Sequence, residues 1–584
     1  MATLARSWQR FARNDQILLL LLAVAVGAAG GYGAIAFRLA TAGFQVLFFG
    51  DGGDRLASAV RPLPWWQVVL APTLGGLLLG LFMRYVLPGR LPQGVPHVME
   101  AAALRNGRME MPDGVAAACI SAASLGCGAS VGREGPIVHL GATLGSYAAR
   151  RLQLSPALAR TLLGCGVAAA IASAFNAPIA GVIFALEVVV GHYGLGAFSP
   201  VVISAVIGTV ITRIHIGPDP AFILPPQQVV SFLELPAFVL LGLVGALASI
   251  ALMRSIALVQ ASHDRLGVPL WLRPMLAGAA VGAMGLWLPE VLGVGYEATD
   301  RVLGNQYGLR FVLVLAVAKT AATALSLGSN FPGGIFSPCL VIGAMVGASF
   351  GMVADAIFPA LGSNASVYAL LGMGAVAACV LGAPISTAIM IFELTTDYGV
   401  AFAVMICVAV ASVFCRQLHW HSFFTWQLAQ RGIDLQVRRE HSLLRARRLA
   451  EVLRREVVTV GLDADLEQLK AAFRHRHLPI FVVDEQQRLY GSIAFEDLAD
   501  AAFAPDRGEP VTARDLVHRT PIALLPQDNL ETALRLCEAH GEEHMPVVSD
   551  SAERKVIGEV RRSDLVLAYN RALLEARAAE RGEG

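Results

Sequence analysis

Charge is scarce in this chain. Only 15% of its 584 residues are Asp, Glu, Lys or Arg, against about 25% in ordinary globular proteins. Acidic and basic residues nearly cancel, leaving a net charge of +1, which excludes the strongly basic surface that nucleic acid demands. Cysteine is sparse and scattered, at Cys119, Cys127, Cys165, Cys339, Cys379, Cys407, Cys415 and Cys537. No pair has Cys-x-x-Cys spacing, so neither a disulfide framework nor a zinc site is indicated. No His-Glu-x-x-His motif occurs, and His97, His139, His192 and His215 lack metal-ligand spacing, which leaves an intramembrane hydrolase without its constellation. Acidic residues inside the apolar stretches are rare too. Glu134, Glu187 and Glu393 stand nearly alone there, whereas a cation transporter needs several.

What is abundant is apolar. Hydrophobic residues make up 55% of the chain, the mean hydropathy is +0.59, and there are 58 glycines, which membrane helices use to pack closely. Residues 15–432 are almost continuously apolar. The pattern predicts helices over 16–48, 65–87, 114–127, 134–150, 157–174, 178–191, 199–212, 233–260, 272–286, 309–327, 338–356, 365–380, 384–396 and 400–416. A full bilayer span needs roughly 20 apolar residues. Many of these segments are shorter or are cut by Gly or Pro. Broken helices are tolerated at membrane depth only where they face protein or a watery cavity.

Arg6, Arg10 and Arg13 precede the first apolar run, which has no signal-cleavage site. Basic residues in that place predict a cytoplasmic N-terminus. The composition changes near residue 433. The stretch that follows is strongly basic, as suits a juxtamembrane cytoplasmic connector or an ordinary solvated helix face. The remainder alternates strand-like and helical patterns and is expected to be soluble. The expected domains are a cytoplasmic N-terminus (1–14), a transmembrane pathway (15–432), a basic linker (433–446), two small soluble units (447–505 and 506–575) and a tail (576–584).

Two internal repeats are present. Residues 175–187 (FNAPIAGVIFALE) and 381–393 (LGAPISTAIMIFE) share Ala-Pro-Ile and a closing Glu in register. Upstream of each lies a Gly-rich breaker ending in Pro, GREGP at 132–136 and GGIFSP at 333–338. Paired halves with helices broken at matching places locate a transporter's binding site near the bilayer midplane. In the tail, His477-Leu478-Pro479 matches His544-Met545-Pro546, Gly491 matches Gly558, and Asp497 matches Asp564, all at one offset. Each tail unit reads strand, turn, strand, helix, and the pair resembles tandem CBS domains.

The breakers carry the chemistry. Glycines in 126–145 allow extended backbone, and a helix is expected to start near Glu134. A helix start presents unpaired N–H groups and partial positive charge, which makes an anion site in a membrane without committing a full cation. A carboxylate on Glu134 can occupy that site itself and leave it on protonation. An ionisable residue inside a membrane is a functional candidate by default; the plainer reading is a helix cap. Gly333 and Gly334 repeat the device, with Pro338 expected to start the next helix and the N–H groups of Ile335 and Phe336 free to face an anion. A third breaker at 91–101 supplies Gly94, Pro96 and the polar Gln93.

These three segments, together with FNAPIAGVIFALE and a last helix near HSFFTWQLAQRGI, resemble the signature sequences of the CLC family of chloride channels and proton-coupled anion exchangers. With the CBS pair the likeness spans nearly the whole chain. It implies an all-α polytopic membrane domain of two inverted repeats of broken helices, followed by a soluble α/β tandem CBS module. It implies a homodimer in a lipid bilayer (plasma or inner membrane) with the tail on the cytoplasmic side. Each subunit then carries one pathway for small inorganic anions, with chloride as the transported ion, no required cofactor and no enzyme activity. By position, Glu134 matches the family's gating glutamate. The amides of Arg133, Glu134, Gly135, Ile335 and Phe336 match its anion-coordinating backbone. Arg133 is expected to attract anions at the outer vestibule or to pair with a local carboxylate.

The sequence departs from the family at three points. Gln93 stands where the family usually has a Ser ligand, and its amide still donates a hydrogen bond. Phe424 stands where the family has a Tyr ligand, and it cannot donate. Both changes leave chloride as the default anion and nitrate, bromide or fluoride open. Third, exchangers usually carry Glu-Glu at the end of the FNAP helix to relay protons. Here the pair is Glu187-Val188, and Val188 cannot carry a proton. The expectation is therefore gated passive conduction, with proton-coupled antiport as the alternative, because some exchangers of the family lack that Glu. The matching repeat positions of Glu187 and Glu393 predict a shared structural role. In the tail, Asp497 and Asp564 keep the acidic position of the CBS ribose motif, but Ala494 and Arg561 replace its hydroxyls. Adenine-nucleotide binding at the CBS pair and a purely structural role at the cytoplasmic face both stay open.

Overall fold

The computed structural model describes residues 15–581 apart from 54, 87–92, 192, 220–221, 223–230, 359–362, 420, 434–446, 475–479, 504–510, 518–521 and 551. Arg6, Arg10 and Arg13, His192, nearly all of the basic linker and His477-Leu478-Pro479 lie outside the described residues. The chain divides into two compact units, Met1–Asp434 and Leu435–Gly584.

The first unit is helical. Its elements are α1 (Asp15–Phe49), α2 (Leu56–Val60), α3 (Trp65–Tyr85), α4 (Val95–Leu104), α5 (Met111–Gly126), α6 (Glu134–Arg151), α7 (Pro156–Phe175) and α8 (Pro178–Phe184). Then follow α9 (Leu195–His215), α10 (Leu235–Arg265), α11 (Arg273–Gly285), α12 (Tyr296–Leu303), α13 (Leu309–Gly328), α14 (Phe336–Ile357), α15 (Ala365–Leu381), α16 (Pro384–Thr395), α17 (Tyr398–His419) and α18 (Phe423–Gln430). Eight helices among the described residues are long and apolar enough to cross a membrane.

Two helices differ instructively from the hydropathy pattern. α14 begins at Phe336, ahead of the expected Pro338, because a proline in the first turn gives up only an N–H that has no partner there. The segment expected as one helix over 178–191 is α-helical only to Phe184 and closes as a π-helical turn, Ala185–Val190, that carries Glu187 and Val188. Such single-turn π bulges alter which way side chains face.

The two halves are built alike and are joined at their breakers. Gly132 donates its N–H to the carbonyl of Gly334 at 2.6 Å, and Gly334 donates back to Gly132 at 2.7 Å. From this bridge α6 and α14 depart, with Pro136 and Pro338 in matching places. α7 ends at a left-handed Asn176 and α15 at a left-handed Gly382, and the next helices open with Pro178 and Pro384. α6 crosses α7 at Gly141 and Gly166, where a Cβ on either would collide with the other's carbonyl; α14 crosses α15 at Gly343 and Gly372 in the same way. Lipid provides no hydrophobic drive between helices, so this close backbone approach is what packs them.

The second unit is α/β. β1 (Thr459–Gly461) runs parallel to β2 (Ile480–Val483), which pairs antiparallel with β3 (Leu489–Ile493). Helices α19 (Leu466–Arg474), α20 (Phe495–Phe503) and α21 (Ala513–Leu516) complete that half, with Leu469, Val482, Ile493 and Leu498 in its core. α21 lies past the expected boundary between residues 505 and 506, but Ala513 and Leu516 are buried in this first core and the Ala513 N–H donates to the Ala464 carbonyl. The other half holds α22 (Leu530–His540), an antiparallel pair of β4 (His544–Val548) and β5 (Val556–Arg561), and α23 (Arg562–Arg581). Leu449 precedes the first half in sequence but is buried in the core of the second, with Leu530, Met545 and Val560. Two backbone hydrogen bonds between Arg454 and Glu559, at 3.0 and 2.9 Å, hold that segment there.

Candidate functional site

Glu134 is the first residue of α6 and has no exposed surface. A buried carboxylate is tolerated only when its oxygens are hydrogen-bonded. Oε1 accepts the Tyr296 hydroxyl at 2.7 Å. Oε2 accepts the Ser337 N–H at 3.2 Å and the Ser337 hydroxyl as well. Ser337 is the second residue of α14. The carboxylate of one repeat therefore sits on the electropositive N-terminus of the helix that opens the other, the place where that helix would hold a free anion. Arg133 adds positive charge nearby. Its Nε lies 3.7 Å from Glu134 Oε1, and its guanidinium stacks 4.6 Å above the Tyr296 ring.

Two cavities flank this cluster. The larger, of about 210 Å³, is lined by Gln93, Glu134, Gly135, Ile335, Phe336 and Phe424 among others. Six residues singled out from four separate stretches of sequence thus line one cavity. Gln93 reaches it because Gly94 is extended and Pro96 sits in the first turn of α4; Phe424 reaches it from the start of α18, which Ser422 caps. The smaller cavity, of about 80 Å³, is lined by Arg133, Tyr296, Glu290 and Glu297 among others. Among the described residues the two cavities share no lining residue.

Val188 lines neither cavity; it is buried in the π-helical turn. Its neighbour Glu187 accepts the N–H groups of Ile385 at 3.1 Å and Ser386 at 2.8 Å, and the Ser386 hydroxyl. Glu393 does the reverse, accepting the N–H groups of Ile179 at 2.9 Å and Ala180 at 2.7 Å. Further buried polar groups lie close by. Lys319 is wholly buried and donates to the carbonyls of Val291 at 3.0 Å and Gly293 at 2.8 Å. His139 is buried on α6, and neither ring nitrogen has a hydrogen-bond partner among the described residues; the His97 ring stands perpendicular to it at 6.2 Å.

In the tail, Asp497 accepts the Ala494 N–H at 2.9 Å and so caps α20. Asp564 forms a two-pronged ion pair with Arg454, at 2.6 and 2.9 Å. Both carboxylates placed by sequence at a ribose contact are thus engaged with the protein itself.

A sequence profile described as the voltage gated chloride channel family matches residues 75–416, and a CBS domain profile matches 449–504 and 513–571. The chain belongs to the CLC family. It is 36% identical over 393 residues to a putative chloride channel protein, ClcB-like, of Ralstonia nicotianae, a match covering 66% of this chain and 91% of the relative. It is 31% identical over 418 residues to the voltage-gated ClC-type chloride channel ClcB of Escherichia coli, covering 70% of this chain and 99% of the relative. Among solved structures, a slow cyanobacterial Cl−/H+ antiporter superposes with a TM-score of 0.62 at 23% identity, over 70% of this chain and 97% of that one. A eukaryotic CLC transporter superposes with a TM-score of 0.59 at 19% identity, over 94% and 97%. At those identities the likeness is one of fold. This CLC protein is accordingly a multi-span membrane protein of an anion-transporting family, not an enzyme, with a CBS tail.

Several residues of this CLC site escape sequence reasoning. Ser337 lies inside the GGIFSP breaker, and its polarity in an apolar run is a usable signal. Lys319 is the same kind of signal, a lysine at the middle of a membrane-length helix. Tyr296 gives none, because α12 is only 8 residues long and the turn before it reads as loop.

Proposed function

We propose that this CLC protein conducts chloride, or a similarly small anion, passively down its gradient through a pathway gated by Glu134. The observation that carries this reading is the Glu134 carboxylate on the N-terminus of α14. An anion and that carboxylate compete for the same donors, so the pathway is closed with Glu134 in place and open once it is protonated and released. The backbone of Arg133, Gly135, Ile335 and Phe336 then surrounds the ion, with the Gln93 amide and the Phe424 ring lining the larger cavity beside it. Passive conduction is supported by Val188, which has no proton to carry, and by Glu187, whose oxygens are taken by Ile385 and Ser386. It is supported also by the name of the Escherichia coli relative, a voltage-gated channel. The protein works as a homodimer with one pathway per subunit, its N-terminus and tail on the cytoplasmic side. The tail's role is structural rather than nucleotide-sensing, a reading supported by Asp564, which is tied to Arg454.

Proton-coupled antiport is the second reading, and His139 favours it. A protonatable ring, buried five residues beyond Glu134 on the same helix with no partner among the described residues, can pass a proton where Val188 cannot. The test is reconstitution in liposomes under a chloride gradient and an opposing pH gradient. Chloride efflux that leaves the pH gradient intact supports conduction. Protons driven uphill at a fixed ratio to chloride support antiport and reject passive conduction.

A further inference from the structure

Among the described residues that hold Glu134, Arg133 and Ser337 belong to the breakers, and Tyr296 does not. Tyr296 is brought in from elsewhere by a purpose-shaped turn. Gly295 has φ +92, in the left-handed region, and swings the chain directly into α12. Lys319 lies beneath that turn, with its ammonium on the carbonyls of Val291 and Gly293. A Cβ on Gly295 would stand 3.2 Å from Lys319 Nζ, so the turn is packed against the ammonium. The Tyr296 ring is then fixed from two further sides, by the Arg133 guanidinium at 4.6 Å and the Phe222 ring at 4.8 Å. Its hydroxyl reaches Glu134 Oε1 at 2.7 Å.

The position of this bond matters. Tyr296 lines the smaller cavity and not the larger, whereas Glu134 lines the larger and not the smaller. The phenol–carboxylate contact stands between the two. We propose that Tyr296 is the latch of the gate. Its hydroxyl holds the Glu134 carboxylate in the closed position, and its ring, braced by Arg133 and by the turn that Lys319 pins, separates the two cavities. A phenol donates more strongly to a carboxylate than to a neutral acid, so protonation of Glu134 loosens the latch as it loosens the hold of α14. The latch rests on the reading of Glu134 as gate.

The test is chloride efflux from liposomes carrying the full-length protein, the Tyr296→Phe and Glu134→Ala variants, and the double variant. Each is normalised to protein that elutes as one folded species. Tyr296→Phe keeps the ring and its packing and removes only the donor. It is expected to raise efflux about tenfold, the usual effect of deleting a hydrogen bond to a charged group. Glu134→Ala raises efflux as well, and the double variant then matches Glu134→Ala to within about twofold, because the latch has nothing left to hold. Unchanged or slower efflux in Tyr296→Phe, beside fast efflux in Glu134→Ala, overturns the latch and leaves the gate. A tenfold gain that persists in the Glu134→Ala background also overturns it, since the phenol then acts elsewhere. Unchanged efflux in Glu134→Ala rejects the gate and the latch together.

Discussion

Glu187 caps the helix that carries Glu393, and Glu393 caps the helix that leads into Glu187. Glu187 closes the N-terminus of α16 through Ile385 and Ser386, and Glu393 closes the N-terminus of α8 through Ile179 and Ala180. Helix starts leave N–H groups unpaired, and in a bilayer no water is at hand to satisfy them. The two glutamates are therefore cross-ties between halves. Replacing either by Gln leaves one accepting oxygen and no charge, at a cost of about 1–3 kcal/mol in stability. A lower melting temperature in detergent is expected for Glu187→Gln and Glu393→Gln alike, with ion flux per folded molecule retained. An undiminished melting temperature, with proton movement altered in Glu187→Gln alone, would make Glu187 a relay and not a tie.

The Ser337 hydroxyl, like that of Tyr296, is a donor to Glu134 that can be removed without touching the backbone. Ser337→Ala keeps the N–H that faces an anion and loses one hold on the carboxylate. Chloride efflux is expected to rise about tenfold, by less than in Glu134→Ala, because one hydrogen bond to a charged group contributes about 1.5–3 kcal/mol. Ser337→Thr retains a hydroxyl and should stay near wild type. Equal efflux from Ala and Thr variants would mean that the hydroxyl does not hold the gate.

Much of this site is legible in the sequence, and the reason is local. Gly and Pro mark the breakers wherever they occur, and the Ala-Pro-Ile register with its closing Glu pairs the halves. The capping exchange of Glu187 and Glu393 follows from that register once the helices are placed. That Gln93, Glu134, Ile335 and Phe424 share a cavity is legible only through the family resemblance, since nothing local links those stretches. Tyr296 stays hidden because its partner is 162 residues away and its helix is too short to show a period. The π-helical turn at 185–190 is equally invisible, since an apolar run looks the same at either pitch. Leu449 misleads for the same long-range reason, as its neighbours in the core come from the far half of the tail.

Phe424 and Gln93 contribute an aromatic ring and an amide to the lining of the larger cavity. A phenyl ring offers an anion no hydrogen bond, so Phe424→Tyr should tighten chloride binding by about 0.5–1.5 kcal/mol. Gln93→Ala removes an amide donor and should weaken it by a similar amount. Isothermal titration with chloride and nitrate checks both, and selectivity is expected to move with affinity. Unaltered titrations in both variants would take that lining out of the ion's path.

Two turns in the tail depend on ionised carboxylates. Asp515 is held below the usual carboxylate range by the Thr512 hydroxyl at 2.7 Å and the Thr512 N–H at 2.9 Å. Asp550 is held down by the N–H groups of Glu553 at 2.6 Å and Ala552 at 2.8 Å. A carboxyl lowered by folding stabilises the fold at any pH above its unfolded value of about 3.9. That contribution is lost as the pH falls through the lower folded value. Amide hydrogen exchange around residues 512–516 and 549–556, corrected for intrinsic rates, should therefore show protection near neutrality that fades below about pH 4. Protection that stays level through that window would mean the turns stand without these charges.

Arg454 engages one of the two acidic positions where the CBS pattern places a ribose. It reaches Asp564 with two nitrogens, at 2.6 and 2.9 Å, from a segment whose backbone also pairs with Glu559. A two-pronged Arg–carboxylate pair satisfies both oxygens and leaves a ribose little to bind. Nor can Ala494 or Arg561 offer the hydroxyl that would complete such a contact. Addition of ATP, ADP or AMP to the full-length protein is expected to shift neither its melting temperature nor its chloride efflux. Arg454→Ala frees Asp564, and if the pair is what excludes the nucleotide, that variant alone should show binding by titration calorimetry. Binding to the wild type would mean that the ion pair opens for the ligand, and the tail would then be a nucleotide sensor.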